Sequence, residues 1–266
     1  MNIGFIGAGA MAEALIKGLV GSGAFEPDAV SCSDISTDRL QYLKENYGVK
    51  GHNNNIEVVE VSEVIILAIK PGIVKNVVTE IKEYLLPGKL LISIAAGIST
   101  QALENWASGE IPVIRVMPNT PCLLGEGISA ISRGHFANEL HEAAALKIFA
   151  CVGETVCLPE KLLNAVTGVS GSGPAYVYLV IEALIDAAVA LGIPRNTATR
   201  LVTQTVKGST EMVIRTGEHP ALLKAQVVSP GGTTAAGLNE LEEGRLRSLF
   251  AKAAASAARR AEEIGE

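Results

Sequence analysis

The sequence predicts an α/β fold class in which a doubly wound sheet comes first and an all-α domain follows. Short β-branched runs alternate with amphipathic stretches in the first part of the chain, which is typical of a sheet with helices on both faces. After about residue 160 these runs disappear, and helical patterns bounded by glycine and proline replace them. With 266 residues, 48% of them hydrophobic, the chain is long enough for two domains, which we place at 1–160 and 161–266.

The predicted strands and helices of the first domain follow one another along the chain. Each strand is a short apolar run of the kind that is buried on both faces of a parallel sheet, and the stretches between strands have helical spacing. A further helix with a strand on either side extends the same sheet. The strands are predicted at 3–6, 30–32, 64–69, 90–94, 113–117, 128–131 and 155–158, and the helices at 10–20, 37–47, 72–85 and 138–150.

The second domain is predicted to be helical and to associate with a second copy of itself. The segment 176–191 carries apolar residues on all sides, so it must be buried all round. A helical domain of this size rarely encloses such a helix alone, and a partner subunit supplies the missing cover. We therefore expect a homodimer through this domain, which also allows a larger ring of dimers. The other helices are predicted at 194–216, 220–228, 233–242 and 245–264.

Composition argues against several kinds of partner and location. The net charge is −6 and no basic tract exceeds the pair Arg259-Arg260, so nucleic acid and anionic membranes are poor partners. The apolar runs fall below the ~18 residues of a membrane span, and the first residues lack the basic leader of a signal peptide. The four cysteines contain no C-x-x-C and the four histidines lack metal spacing. We expect reduced thiols, no metal site and a cytoplasmic location.

A glycine-rich turn predicts a Rossmann-type dinucleotide site. Residues 7–12 read Gly-Ala-Gly-Ala-Met-Ala, the pattern G-x-G-x-x-A, directly after the first strand and at the start of a helix. In this context Gly7 permits the tight turn, Gly9 lets the backbone approach a pyrophosphate, and Ala12 keeps helix and strand close. The start of the helix adds free N–H groups and the positive end of its dipole, which favour a phosphate.

Asp34 bears on which nicotinamide cofactor is bound. It ends the second predicted strand, where an acidic side chain meets the adenosine ribose in such folds. A carboxylate there accepts a hydrogen bond from the 2′-hydroxyl of NADH and repels the 2′-phosphate of NADPH. The nearest arginine is Arg39. The cofactor is therefore NADPH or NADH, and Asp34 favours NADH; an aspartate pointing into solvent is the alternative.

Three further loops follow predicted strands, at the edge where ligands bind in open α/β sheets. Ala95, Ala96 and Gly97 are too small to obstruct a nicotinamide ring. Lys70 either places a cation near an anionic substrate or is a simple exposed lysine. In the loop 117–121, two prolines hold the chain stiffly beside the same crevice.

A second candidate anion site lies in the helical domain. Gly231, Gly232, Thr233 and Thr234 begin a predicted helix. Their free N–H groups can hold a carboxylate, although a capped helix after a turn has the same composition. The sequence thus offers two anion sites and few obvious acids or bases. This combination suits hydride transfer, in which a cofactor performs the difficult step and the protein positions the acceptor.

Taken together, these motifs resemble the pyrroline-5-carboxylate reductase family over nearly the whole chain. The segments 6–11, 68–71 and 117–121 carry the resemblance, and 167–176 and 219–234 are its most specific parts. The resemblance implies a Rossmann domain followed by a helical domain that interlocks two subunits, with the active site between the domains. It implies reduction of the cyclic imine of L-1-pyrroline-5-carboxylate to L-proline by NAD(P)H, the final step of proline biosynthesis.

The resemblance also implies the residues of the site. Thr234 is the catalytic residue, whose hydroxyl lies near the imine nitrogen and orients it before any proton relay. One position departs from the family, because relatives that use NADPH often have a small hydroxyl residue where this chain has Asp34. The implied substrate contacts are Glu160, Gly232, Thr233 and Thr234, and the implied cofactor contacts are Ile6, Gly7, Ala8, Gly9, Ala10, Met11, Asp34, Asn55, Ala68, Ile69, Lys70, Pro71, Ala95 and Ala96.

Three other functions fit the sequence less well. A 3-hydroxyacid dehydrogenase shares the order of domains, but Val177 stands where that family carries its lysine. A serine hydrolase requires G-x-S-x-G, and Ser172 stands where the last glycine belongs. A binding protein that only senses the cofactor would keep Gly7 and Gly9 but has no need of a second anion site.

Overall fold

The computed structural model describes residues 1–265, which form two compact units. Unit 1 consists of Met1–Ser172 and the chain from Ala254 onward, and unit 2 of Gly173–Ala253. The units divide after Ser172, beyond the predicted boundary at 160, because the segment after that boundary is bonded to the sheet. Asn164, for example, accepts a hydrogen bond of 2.6 Å from Arg115 in the centre of a strand.

Unit 1 is built on one eight-stranded sheet. In sequence numbering the strand order is 3-2-1-4-5-6-7-8; the first six strands are parallel, strand 7 is antiparallel to strand 6, and strand 8 is parallel to strand 7. The order reverses between strands 1 and 4, the point at which doubly wound sheets bind dinucleotides. The strands are β1 Ile3–Ile6, β2 Val30–Ser33, β3 Lys50–His52, β4 Val64–Leu67, β5 Leu90–Ser93, β6 Val113–Met117, β7 Gly127–Arg133 and β8 Gly153–Cys157.

Helices cover both faces of this sheet, so the predicted doubly wound class is confirmed. Successive strand residues point to opposite faces. Phe5 packs in the core cluster that contains Leu15 of the first helix, whereas Ile6 packs in the cluster that contains Val74 of a later helix. The helices of this part are α1 Ala10–Gly21, α2 Thr37–Tyr47, α3 Asn55–Val61, α4 Pro71–Ile81, α5 Thr100–Ala107, α6 Glu139–Phe149 and α7 Leu163–Val166.

The structure corrects several predicted bounds in unit 1. β3, α3, α5 and α7 were not predicted. The predicted helix at 72–85 continues only to Ile81 and then tightens into a 3₁₀ turn, Lys82–Tyr84. The predicted strand at 64–69 ends at Leu67, because the next residues leave the sheet and lead into Pro71, the first residue of α4.

Unit 2 is helical throughout, as predicted. α8 is apolar, yet none of its residues is buried within the single chain; Leu179, for example, is 64% exposed. The helices after residue 172 are α8 Gly173–Ala190, α9 Arg195–Thr216, α10 Pro220–Gln226, α11 Thr233–Glu243 and α12 Leu246–Gly265, of which α12 continues into unit 1.

One helical stretch corrects the expectation that no apolar segment reaches the length of a membrane span. Glu160–Ala190 is a helical stretch of 31 residues that contains an 18-residue window with a mean hydropathy of 1.5, which satisfies the length and composition of a spanning helix. The correction arises because α8, Gly173–Ala190, is itself 18 residues long and joins several short apolar runs in one helix. Length and composition alone also fit a helix that packs against another protein surface.

Candidate active site

The glycine-rich turn between β1 and α1 has the geometry that its sequence predicts. The backbone of Gly7 has φ +99°, a conformation that residues with a side chain rarely adopt. A methyl group at Gly7 would lie 2.5 Å from the Ala68 carbonyl oxygen and 2.7 Å from Ile69 Cγ2. The Gly7 N–H donates a 2.8 Å hydrogen bond to the Ser33 carbonyl oxygen. The turn is therefore held between the ends of β2 and β4.

The start of α1 is open to an anion. Gly9 is the N-cap residue, and no side chain caps the helix. A methyl group at Gly9 would meet no protein atom within 4 Å, so packing within the chain does not require glycine there. A Cβ would instead enter the space through which a pyrophosphate reaches the free N–H groups of the first turn. These residues therefore fit the phosphates of a dinucleotide.

Asp34 is bonded to the glycine-rich turn. Its Oδ2 accepts a 2.7 Å hydrogen bond from the Ala8 N–H, and its Oδ1 accepts one of 2.9 Å from the Ser36 N–H. The side chain thus does not point freely into solvent. Because each carboxylate oxygen has two lone pairs, capacity remains for a ribose hydroxyl.

Arg39 lies beside Asp34 but is paired with another carboxylate. Its Nε donates to the Ala8 carbonyl oxygen at 3.0 Å, and its Nη2 lies 2.6 Å from Glu13 Oε2. Burial raises the pKa of Glu13, but hydrogen bonds from Arg39 and Tyr47 outweigh it, so the pKa lies below its ordinary value. Glu13 is therefore ionised and neutralises Arg39. The charge that remains at this end of the site is the negative charge of Asp34.

Asn55, the first residue of α3, lies at the same edge of the sheet. Its Oδ1 accepts a 2.8 Å hydrogen bond from the Ser33 hydroxyl, and its Nδ2 donates to Glu80 Oε2 at 3.2 Å. Two neighbours therefore orient its amide at the carboxyl end of β2.

The loops after β4 and β5 lie side by side. The Ile94 N–H donates to the Leu67 carbonyl oxygen at 3.2 Å, which ties the exit of β5 to that of β4. Ala95 is buried, and its N–H donates to Ser93 Oγ at 3.2 Å. Lys70 is exposed and directly precedes α4. The structure thus brings the predicted cofactor contacts together at the carboxyl ends of β1, β2, β4 and β5.

The end of β6 adds polar groups to this edge. Asn119 follows β6; its Oδ1 accepts a 3.0 Å hydrogen bond from the Ile128 N–H, and its Nδ2 lies 3.5 Å from Ser170 Oγ. Ser170 belongs to a π-helical turn, Thr167–Gly171, within one of the most specific motifs in the sequence. Such turns are frequent at functional sites. The sequence indicated the loop at 117–121 but not its contact with Ser170.

The side chain of Glu160 forms its hydrogen bonds within unit 1. Its Oε1 accepts a 2.7 Å hydrogen bond from the Thr100 N–H, and its Oε2 accepts one of 2.6 Å from the Thr100 hydroxyl. Arg115 Nη1 lies 3.5 Å from Oε1. Burial lowers the pKa of Arg115, and Glu160 opposes this effect. The lone arginine in an apolar strand was the only sequence signal for this network, which the sequence analysis missed.

A cleft of about 730 Å³ lies beside this network, along α5. Glu104, Arg133 and Glu160 are among the residues that line it. None of the predicted dinucleotide contacts lines this cleft. Of the residues that the resemblance implies for the site, only the substrate contact Glu160 lines this cleft.

The start of α11 in unit 2 also lacks a side-chain cap, as do the starts of α4 and α9, and it alone of these three has glycine as its N-cap residue. Gly231 has φ +67°, and Gly232 is the N-cap residue of a helix that no side chain caps. Thr233 and Thr234 are exposed. The first N–H groups of a helix have no intrahelical acceptor, so those at this start are available to an anion.

A doubly wound sheet whose glycine-rich turn opens a helix at the switch point defines a protein of the dinucleotide-binding Rossmann class. Comparison with known proteins agrees with this class. A family model described as NADP oxidoreductase, coenzyme F420-dependent, matches residues 2–97, and one described as pyrroline-5-carboxylate reductase dimerisation matches residues 160–264.

Full-length relatives show the family. The chain is 46% identical to a pyrroline-5-carboxylate reductase of Arabidopsis thaliana, covering 100% of this chain and 96% of the relative. It is 38% identical to the pyrroline-5-carboxylate reductase of Escherichia coli, and the match covers 100% of this chain and 98% of that relative. A solved pyrroline carboxylate reductase of Plasmodium falciparum with NADP bound has a TM-score of 0.92 at 36% identity, covering 100% and 98%. The chain belongs to the pyrroline-5-carboxylate reductase family, as the resemblance implied.

Proposed function

We propose that the protein reduces the C=N bond of L-1-pyrroline-5-carboxylate to give L-proline, with a hydride from NAD(P)H, as the final step of proline biosynthesis. The uncapped start of α11 is the observation that carries this proposal. A nicotinamide enzyme needs one anion site for the pyrophosphate, and the start of α1 serves that purpose. The start of α11 is then available for the carboxylate of the substrate.

The dinucleotide binds along the carboxyl edge of the sheet. The start of α1 holds the pyrophosphate, while Asp34 and Asn55 lie on the adenosine side. Ala95 and Ala96 form a flat surface for the nicotinamide, since a methyl side chain leaves room for the ring. The remaining proposed contacts are Ile6, Gly7, Ala8, Gly9, Ala10, Met11, Ala68, Ile69, Lys70 and Pro71.

The N–H groups of Gly232, Thr233 and Thr234 hold the substrate carboxylate. The left-handed conformation of Gly231 turns the chain into the helix, so that these donors follow one another. A carboxylate at this position gains hydrogen bonds and the positive end of the α11 dipole. Glu160 is a further proposed substrate contact, on the strength of the resemblance alone.

Thr234 positions the imine for hydride transfer. Bound NAD(P)H supplies the hydride. A protonated imine nitrogen donates its N–H to Thr234 Oγ1, which fixes the ring with C5 exposed to attack. When C5 accepts the hydride, the π electrons of the C=N bond become the lone pair of the amine nitrogen. Thr234 has no adjacent base, so it orients the imine first and relays a proton second.

Asp34 favours NADH over NADPH. Its carboxylate stays available to the ribose hydroxyl, and Glu13 neutralises the only nearby guanidinium among the described residues. A 2′-phosphate would therefore meet net negative charge. Comparing kcat/KM for the two cofactors tests this preference.

A homodimer covers the exposed apolar surface of α8. The match of residues 160–264 to a dimerisation model supports this assembly, and a ring of dimers remains a larger form that it permits. Burial of α8 against a partner also explains its apolar composition without a membrane. The four cysteines are free, which agrees with a reducing cytoplasm, and we propose that location.

The test of the reaction is the oxidation of NADH, and separately of NADPH, with and without pyrroline-5-carboxylate. We expect oxidation only with the imine present, and L-proline as its product. Thr79→Ala is the matched control for variants of Thr234, because Thr79 is an exposed helical threonine on α4. Oxidation without the imine, or no oxidation with it, would refute the proposal.

A further inference from the structure

The last turns of α12 lie in backbone contact with the loop after β5. A methyl group at Gly97 would overlap the carbonyl oxygen of Ala261 and lie 2.9 Å from the amide nitrogen of Gly265. A methyl group at Gly265 would in turn overlap the Gly97 carbonyl oxygen. Ala261 is only 2% exposed. Glycine is therefore required on both sides of this contact.

Gly97 is also constrained by its own conformation. Its φ is +81°, which glycine adopts readily and other residues rarely do. It directly follows Ala95 and Ala96. A shift of the α12 backbone would therefore be transmitted to those two residues over a distance of one or two peptide units.

A second segment contacts the same part of α12. A methyl group at Gly168 would overlap the Ala254 carbonyl oxygen and lie 3.1 Å from the Ala258 nitrogen. Gly168 belongs to the π-helical turn, whose Gly171 approaches Met117 at the end of β6. The segment of α12 from Ala254 to Gly265 thus packs against the loop after β5 and against the π-helical turn, which itself contacts the end of β6.

We infer that this C-terminal segment of α12 positions the Ala95–Gly97 loop against the nicotinamide ring. The inference rests on the proposed placement of the nicotinamide at Ala95 and Ala96. The glycine-rich turn fixes the pyrophosphate independently, so the segment governs only the reacting end of the cofactor. Because hydride transfer is sensitive to misplacement, with ~1 Å costing about 100-fold in rate, a small displacement of this loop lowers kcat.

Gly265→Ala is the most informative variant. Its methyl group would overlap the Gly97 carbonyl oxygen, so a purely structural role predicts a lower melting temperature with normal kcat in the protein that is folded. Positioning predicts a fall in kcat of about 5- to 50-fold in the same folded protein. The affinity for ADP-ribose, which lacks the nicotinamide, should stay within about twofold, while the fluorescence of bound NADH changes.

Three companion variants complete the experiment. Gly97→Ala should lower kcat more strongly, since it adds backbone strain to the same clash. Gly21→Ala is the control: this glycine ends α1, and a methyl there would meet nothing within 4 Å, so kcat should not change. Ala96→Leu places bulk where the nicotinamide is proposed to lie and should abolish turnover.

The outcomes separate the two proposals. Unchanged kcat in folded Gly265→Ala overturns the role of α12, and so does an equal loss of ADP-ribose affinity, because the whole nucleotide site would then have moved. Should Ala96→Leu retain normal kcat, the proposed nicotinamide position itself is wrong. A Gly97→Ala protein that fails to fold leaves the decision to Gly265→Ala.

Discussion

Replacing Asp34 should change which cofactor the enzyme prefers. The carboxylate holds two backbone N–H groups, from Ala8 at 2.7 Å and Ser36 at 2.9 Å. Asp34→Asn removes the charge and retains one acceptor oxygen, and losing one of these bonds costs about 1–3 kcal/mol of stability. Asp34→Ser removes both acceptors. The ratio of kcat/KM for NADH to that for NADPH is therefore the right readout, since any loss of stability affects both cofactors equally.

The size of the change follows from two terms. Loss of a charged acceptor for the ribose hydroxyl costs about 1.5–3 kcal/mol, or roughly 10- to 100-fold in kcat/KM for NADH. Two unit charges ~4 Å apart repel by about 4 kcal/mol at an effective dielectric constant of ~20, and screening at this partly exposed position reduces the repulsion to about 1 kcal/mol. Relief of that repulsion should raise kcat/KM for NADPH by about fivefold.

The assay is NADH or NADPH oxidation at saturating pyrroline-5-carboxylate, with both cofactors measured on each protein. Asp34→Asn should shift the ratio toward NADPH by at least about 50-fold, the product of the two effects. Tyr42→Phe is a control, because it alters a neighbouring ring on α2 without changing charge. A wild-type preference for NADPH, or a ratio that does not move in Asp34→Asn, would refute the electrostatic reasoning.

Three further changes test the substrate site, the internal network and the assembly. Thr234→Ala should lower kcat/KM by about 10- to 1000-fold with unchanged affinity for NADH, measured against Thr79→Ala; equal turnover would remove Thr234 from the chemistry. Glu160→Gln should lower the free energy of unfolding by about 1–3 kcal/mol and raise KM for the imine, and a KM equal to wild type would leave Glu160 with a structural role only. Leu179→Glu should convert the dimer to monomer in light scattering, and a wild-type monomer at micromolar concentration would contradict the proposed interface.

Long apolar patterns made most of the fold predictable. The helices of unit 2 match their predicted bounds closely because glycine and proline mark their ends, as Gly217 does for α9. β3 was missed because its central residue is Gly51 and it has no apolar pattern; pairing with β2 alone makes it a strand. α3 was missed because Val58 and Val59 are β-branched, and burial of both overrides that local preference.

The site was predictable where it depends on local backbone geometry. The turn at Gly7 was found because its glycine spacing and its position after a strand specify it, and the start of α11 was found because two glycines and two threonines stand together before a helical pattern. The bonds of Glu160 to Thr100 and Arg115 join residues far apart in the chain, and no local pattern indicates them. The same holds for Gly97 and Gly265, whose need for glycine becomes visible only when their backbones are seen in contact.

A crystal structure of the enzyme with NADH and a non-reactive analogue of the imine acid tests the central claim most directly. We expect the carboxylate oxygens to lie roughly 2.7–3.2 Å from the backbone nitrogens at the start of α11. We expect the pyrophosphate at the start of α1. A carboxylate bound elsewhere, with the α11 start left in solvent, would contradict the assignment of the two helix termini.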